Sequence, residues 1–198
     1  MGTAHYRDLR KWLRSPGPSS LRPRRAEHAR VAAPGGARPN QRKIAYDDHE
    51  IFCREVRGNT LMPKVTPQQI ENLLREYQLD HDGHITIEAL GNKSARARFR
   101  VGKQHLRPGD TVSGPTLMAL ADVAMYAALL GEIGLVPLAV TSSLNINFLR
   151  KPAQKDVIGE ARLLKVGKRL AVGEITLFSD GDPEPVAHVT CTYSIPPR

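Results

Sequence analysis

From Met62 to the C-terminus, apolar and polar positions recur with clear periods; before Met62 they recur with none. Thr66-Pro67 reads as a helix cap followed by a first-turn proline, and Ile70, Leu73, Leu74 and Tyr77 then follow at helical spacing. The runs 84–90 (HITIEAL) and 95–101 (ARARFRV) alternate with period two across the turn residues Gly91 and Asn92, and so predict a hairpin. A Pro/Gly loop leads to a long apolar helix opened by Ser113-Gly114-Pro115, with Pro115 expected at its first position. Four more strand-like runs follow, at 137–150, 156–166, 169–179 and 185–195, with turns at Gly167-Lys168 and at 179–182.

One long helix among six strands is best satisfied when an antiparallel sheet wraps it, an α+β arrangement. The helix is apolar nearly all round, and Ala119, Ala121, Ala124, Ala127 and Ala128 let strands come close. Cys191 keeps phase with Val189, Tyr193 and Ile195, which makes it a core position. Strict alternation over 138–149 puts Leu138, Val140, Ser142, Leu144, Ile146 and Phe148 on one face. Thr141, Ser143, Asn145 and Asn147 then share the other, for which a solvated face is the plain reading.

Charge changes the picture only once it is located. The net +9 looks like a nucleic-acid signal, but residues 1–60 carry 13 of the 29 Lys and Arg against 6 of the 20 acids. The rest of the chain is close to neutral. Two regions are therefore expected: a basic extension over 1–61 and one domain over 62–198. Residues 15–40 are too rich in Pro, Gly, Ala, Ser and Arg to offset their ordering entropy, and disorder is expected there. The extension has three readings: an Arg-rich transit peptide, a basic arm for nucleic acid, or a mis-assigned start with Met62 as the natural one. The third is favoured, so no nucleic-acid partner is expected.

The two cysteines, Cys53 and Cys191, form no CxxC pair, and neither a metal site nor a disulfide framework is expected; a reducing cytoplasm is the default. The segment 111–131 is apolar enough to resemble a membrane span, but it carries Asp122 near its middle. A charge there costs roughly 2.5–3.5 kcal/mol in a bilayer, so a helix buried in protein, with no membrane partner, is the better reading. Asp80-His81-Asp82-Gly83 imitates a calcium loop with the wrong spacing, and His105 reads as a surface histidine.

Asp122 is the only charge on that helix. A carboxylate so placed is hydrogen-bonded, protonated or used, and its useful roles are general base or nucleophile. Gly114 sits at the helix mouth, where unpartnered N–H groups favour developing negative charge, and Ser113 fits as the cap.

The stretches 107–130 (RPGDTVSGPTLMALADVAMYAALL) and 139–152 (AVTSSLNINFLRKP) together resemble the acyl-CoA thioesterase superfamily with the hot-dog fold, and in particular its phenylacetate-pathway (PaaI-type) branch. The resemblance covers about residues 66–196. Where that family commonly has His-Gly-Gly, nine residues before its catalytic Asp, this chain has Ser113-Gly114-Pro115; where it often has Asn, this chain has Arg107.

The resemblance implies an antiparallel six-stranded sheet around a long central helix and hydrolysis of an acyl- or aryl-acyl-CoA to acid and CoA. Asp122, Gly114 and Thr141 would be catalytic, Thr141 by positioning the attacking water. Ser113, Arg107, Ser143, Asn145, Arg150, Lys168 and Arg169 would bind substrate, the last three, with Lys151, as rim cations for CoA phosphates. No cofactor is implied. A homodimer would share its active sites, Asp122 of one subunit working opposite Gly114 of the other, and a tetramer is a further option. The alternative is a hot-dog protein that binds acyl-CoA as a sensor or carrier without cleaving it. Pocket depth is expected to depend on Met118, Met125, Tyr126 and residues from a neighbouring subunit, and adaptable methionines forecast breadth.

Overall fold

The computed structural model describes residues 62–80 and 83–197, so the expectations for residues 1–61 lie outside the described residues. Helix α1 (Pro67–Glu76) starts as its sequence predicts. Thr66 accepts from Gln69 N, and the Gln69 side chain accepts from Thr66 N at 2.8 Å, a reciprocal capping box. Ile70, Leu73 and Leu74 are its buried face. The hairpin β1 (Ile85–Gly91) and β2 (Ser94–Phe99) follows, turning at Asn92-Lys93 rather than Gly91-Asn92, with Lys93 at φ 54°.

Between Gly102 and Ser113 the chain forms a short 3-10 turn (Lys103–His105) and a small two-stranded ladder, β3 (Leu106–Arg107) with β4 (Thr111–Val112). Neither has a periodic pattern to reveal it. Helix α2 (Gly114–Ile133) comes next, then β5 (Val140–Phe148), β6 (Val157–Val166), β7 (Leu170–Ser179) and β8 (Pro185–Ser194). The sheet is antiparallel in the order β1-β2-β6-β7-β8-β5. It curls around α2, which is the hot-dog arrangement the resemblance implies.

Burial explains why this helix has no polar stripe. Leu117, Leu120, Ala121, Ala124, Met125 and Ala127 to Leu130 are at most 1% exposed. It is the one helix among the described residues long and apolar enough to cross a bilayer, and here its surroundings are the protein's own strands. Two strand glycines set how closely the layers approach. A Cβ on Gly159 would lie 3.2 Å from both Leu120 and Leu177, and one on Gly173 would lie 2.6 Å from the Met125 sulfur.

On the opposite face of the sheet, Arg96 and Arg98 of β2 form a lattice of ion pairs. Arg96 bonds Glu88 at 2.8 Å and also Glu160, and Arg98 bonds Glu88, Asp180 (3.0 Å) and Asp156 (3.4 Å). Burial raises the Glu88 carboxyl's pKa, but hydrogen bonds from Arg98 and Arg96 outweigh it and hold the group below the usual carboxylate range.

Strand β5 departs from simple alternation. Its register against β8 runs Val140↔Ser194, Thr141↔Tyr193, then Ser143↔Thr192 and Leu144↔Cys191, so Ser142 is an extra residue. This bulge reverses parity on one side of it. Thr141 shares the helix-facing side with Tyr193, Leu144 and Ile146, not the outer side with Ser143 and Asn145 as strict alternation would have it. Val140 correspondingly leaves the core side and is 58% exposed. The Ser142 hydroxyl donates to the Thr192 carbonyl at 3.1 Å across the irregularity.

Candidate active site

Asp122 lies on the one stretch of α2 that the sheet does not cover. Pro115, Met118 and Ala119 are exposed and Asp122 half-buried, a stripe at i, i+3, i+4 and i+7. The bulge brings Thr141 to it: the Thr141 hydroxyl donates to Asp122 Oδ1 at 2.5 Å. The Tyr193 hydroxyl donates to the same oxygen at 2.8 Å and lies 3.2 Å from the Asp122 carbonyl. Oδ2 has no hydrogen-bond partner among the described residues. Both donors are neutral, so among the described residues the carboxylate is oriented without a cation beside it.

Sequence reasoning missed Tyr193. Its signal was present, since a tyrosine in phase with core residues must find a partner for its hydroxyl, and a lone buried acid is the obvious one. Burial and the adjacent Asp122 charge push the Tyr193 hydroxyl well above the usual range, so it remains a donor. Cys191, two residues along β8 on the same face, is 1% exposed, and burial and then Asp122 push its thiol up to about 12.

The carboxylate opens into a cleft of about 400 Å³. Ala119, Val123 and Tyr126 form one wall, Leu74, Tyr77 and Leu79 another, and Pro137, Ala139, Val140 and Thr141 a third. Neither Met118 nor Met125 lines it, contrary to expectation: Met118 points outward, 41% exposed, and Met125 is fully buried against Gly173.

The helix mouth is a separate place. Ser113 caps α2, its hydroxyl accepting from Thr116 N at 3.4 Å and sharing a 2.8 Å bond with the Thr116 hydroxyl. Gly114 is therefore the first helical residue and Pro115 the second, one position later than expected; proline is tolerated there because first-turn N–H groups have no intrahelical acceptor. The Gly114 N–H has no acceptor among the described residues. Thr111 ties the loop down by donating to the Pro152 carbonyl at 2.9 Å. A second cleft, of about 320 Å³, is lined here by Arg107, Gly114, Phe148, Arg150 and Lys151.

The remaining sequence candidates scatter. Ser143 and Asn145 lie on the sheet face turned away from Asp122 and do not join it within this chain. Arg150 sits at the helix mouth but is engaged by Asp182 at 2.8 Å, Glu184 and two backbone carbonyls. Lys168 and Arg169 line a different cleft, of about 560 Å³, beside Ile133 at the far end of α2. Asp80, part of the false calcium loop, accepts from His84 N and Ile85 N at 3.0 Å and starts β1. Among the described residues no cluster of His, Cys, Asp or Glu could hold a metal ion.

Comparison with known proteins supplies the family. A model described as "Thioesterase superfamily" matches residues 109–186, which include Asp122, Gly114 and Thr141. A solved candidate thioesterase from Silicibacter sp. TM1040 is 45% identical, over 70% of this chain and 95% of its own, with a TM-score of 0.62. A mutant of the phenylacetic acid degradation protein PaaI from Thermus thermophilus is 26% identical over 57% and 93%, with a TM-score of 0.50. A candidate esterase of Saccharolobus solfataricus is 25% identical over 71% of this chain and 92% of its own length.

Proposed function

Because the chain belongs to the thioesterase superfamily, and is on that ground a thioester hydrolase, we propose that it cleaves acyl-coenzyme A to a free acid and CoA, with Asp122 as its general base. One observation carries this reading. Two neutral hydroxyls hold Asp122 by a single oxygen at the mouth of an apolar cleft, leaving Oδ2 open. Oδ2 takes a proton from water as the water oxygen attacks the thioester carbonyl carbon. The carbonyl oxygen becomes an oxyanion, and collapse expels the CoA thiolate, which takes up the proton. Thr141 and Tyr193 fix the carboxylate's direction throughout.

The oxyanion donor in this reading is the Gly114 N–H of a second subunit. Gly114 and Asp122 are eight residues apart on one helix, about 12 Å, too far for one thioester to touch both in one chain. Two features support a twofold pairing. Strand β5 is an edge of the sheet, and the α2 stripe that bears Asp122 is uncovered. Arg107 and Lys151 beside the helix mouth suit the phosphates of CoA; Arg150 serves more to hold the 182–185 loop. The kinship with PaaI supports a PaaI-like branch.

The test is thiol release from a panel of acyl- and aryl-acyl-CoAs by the full chain and by Asp122→Asn. Turnover by the parent and its loss in the folded variant is the expected result. Binding without release of thiol by the parent would replace hydrolysis with a carrier or sensor role.

A further inference from the structure

We infer that the cleft beside Asp122 is a ruler for the acyl group, with Tyr126 as the specificity-determining residue that ends it and restricts the enzyme to short and medium-length chains. The inference rests on the acyl-CoA reading above. Asp122, Thr141 and Tyr193 meet at one part of the cleft; the rest of its lining includes Leu74, Val123, Ala139 and the rings of Tyr77 and Tyr126, with the Tyr126 hydroxyl already spent on the Pro137 carbonyl. A thioester carbonyl held beside Asp122 would send its hydrocarbon tail along α2 toward Tyr126. That residue is one helical turn from Asp122, about 6 Å along the axis.

Tyr126 is built as a stop. Its ring is 5% exposed and stacks on Tyr193, with centroids 5.8 Å apart and planes 19° from parallel. Its hydroxyl donates to the Pro137 carbonyl at 3.3 Å, bracing the ring across the cleft. Beyond it α2 runs into the closed core at Leu129 and Leu130. The outer wall has an unusual composition for a surface. Tyr77 and Leu79 are 53% and 56% exposed and, with Leu74, face the cleft from the end of α1 and the residues after it. An acyl tail is the occupant that would cover them, because the cleft is continuous with the carboxylate that the reaction needs.

The experiment measures binding, so that it does not depend on turnover. S-alkyl-CoA thioethers, which have no carbonyl to attack, are titrated calorimetrically into the full chain with tails of about four to about sixteen carbons. Affinity is expected to rise about three- to fourfold per methylene and then level off at a break within the series. In Tyr126→Ala the break moves to longer tails, because an apolar cavity of a ring's size accepts hydrocarbon, while the affinity for the shortest tails stays within about twofold. Should that variant fail to fold, the exposed pair Tyr77→Ala and Leu79→Ala is expected to reduce the gain per methylene below the break.

A break that stays in place, an affinity lowered equally at every length, or one indifferent to length from the outset overturns the ruler. Absent thiol release with a length-dependent affinity would remove the hydrolytic reading and leave the ruler standing.

Discussion

The molecule holds its carboxylates in two contrasting ways. On β1 and β6 and at the ends of β6 and β7, Glu88, Glu160, Asp156 and Asp180 are gripped by the guanidinium groups of Arg96 and Arg98 from β2. On α2, Asp122 receives, among the described residues, only hydroxyls, both on the same oxygen. A cation fixes a carboxylate and also satisfies it; a hydroxyl fixes it while leaving its charge and one oxygen unspent. The first arrangement suits architecture, and the proposed mechanism uses the second for chemistry. The contrast therefore predicts a separation, with turnover sensitive to one region and stability to the other.

The strongest way to break that separation is Asp122→Asn. Turnover should fall about 10²- to 10⁴-fold with the melting temperature preserved, as read by thiol release and calorimetry. A folded variant with undiminished turnover would remove Asp122 from the chemistry. A sharper version mixes two dead chains, Asp122→Ala and Gly114→Pro, the latter lacking the mouth N–H. Random pairing of shared sites should restore up to about a quarter of parental activity, whereas sites contained within one chain would restore none.

Next come the hydroxyls. Thr141→Val and Tyr193→Phe should each lower kcat about ten- to a hundredfold, since each deletes a hydrogen bond to a charged acceptor. On the other side of the sheet, Arg98→Ala should leave kcat/KM within about twofold while lowering stability by about 1 kcal/mol in denaturant titration.

The smallest effect is the pH dependence of that lattice. Glu88 and Asp180 are both depressed in the folded protein, Asp180 chiefly by its hydrogen bond from Arg98. Their contribution is complete above the unfolded carboxylate range, near 4, and declines as pH falls through the lower folded values. Arg98→Ala should flatten this acid limb of the stability curve, and an unchanged limb would assign it to other groups.

The sequence conveyed more of the scaffold than of the site. Six strands were legible because burial imposes a period, the buried helix because its apolar run is long and opens on a cap, and the capping of α1 and α2 because caps need particular side chains. Strand order was not legible: nothing in the pattern says that β5 crosses to pair with β8. The small β3–β4 ladder, two residues a side, is too short to carry a period. In the site, Asp122, Gly114 and Ser113 could be singled out because each is exceptional where it stands. Tyr193 was passed over, because among buried residues a tyrosine looks like packing unless its hydroxyl's need for a partner is followed up. Thr141 was singled out through the resemblance alone, while alternation placed it on the wrong face.

That last difference has a consequence for how such a site can change. The side of the sheet on which Thr141 stands is decided by whether the number of residues between it and Leu144 is odd or even. Exchanging the Ser142 side chain leaves that parity alone, but deleting Ser142 would turn the Thr141 hydroxyl away from the acid without altering either residue. Insertions and deletions, normally tolerated in loops and purged from strands, could here disconnect or reconnect the contact between Thr141 and Asp122 in one step. An alignment of relatives that tracks residue identity but ignores a one-residue gap in this strand would register no change at all.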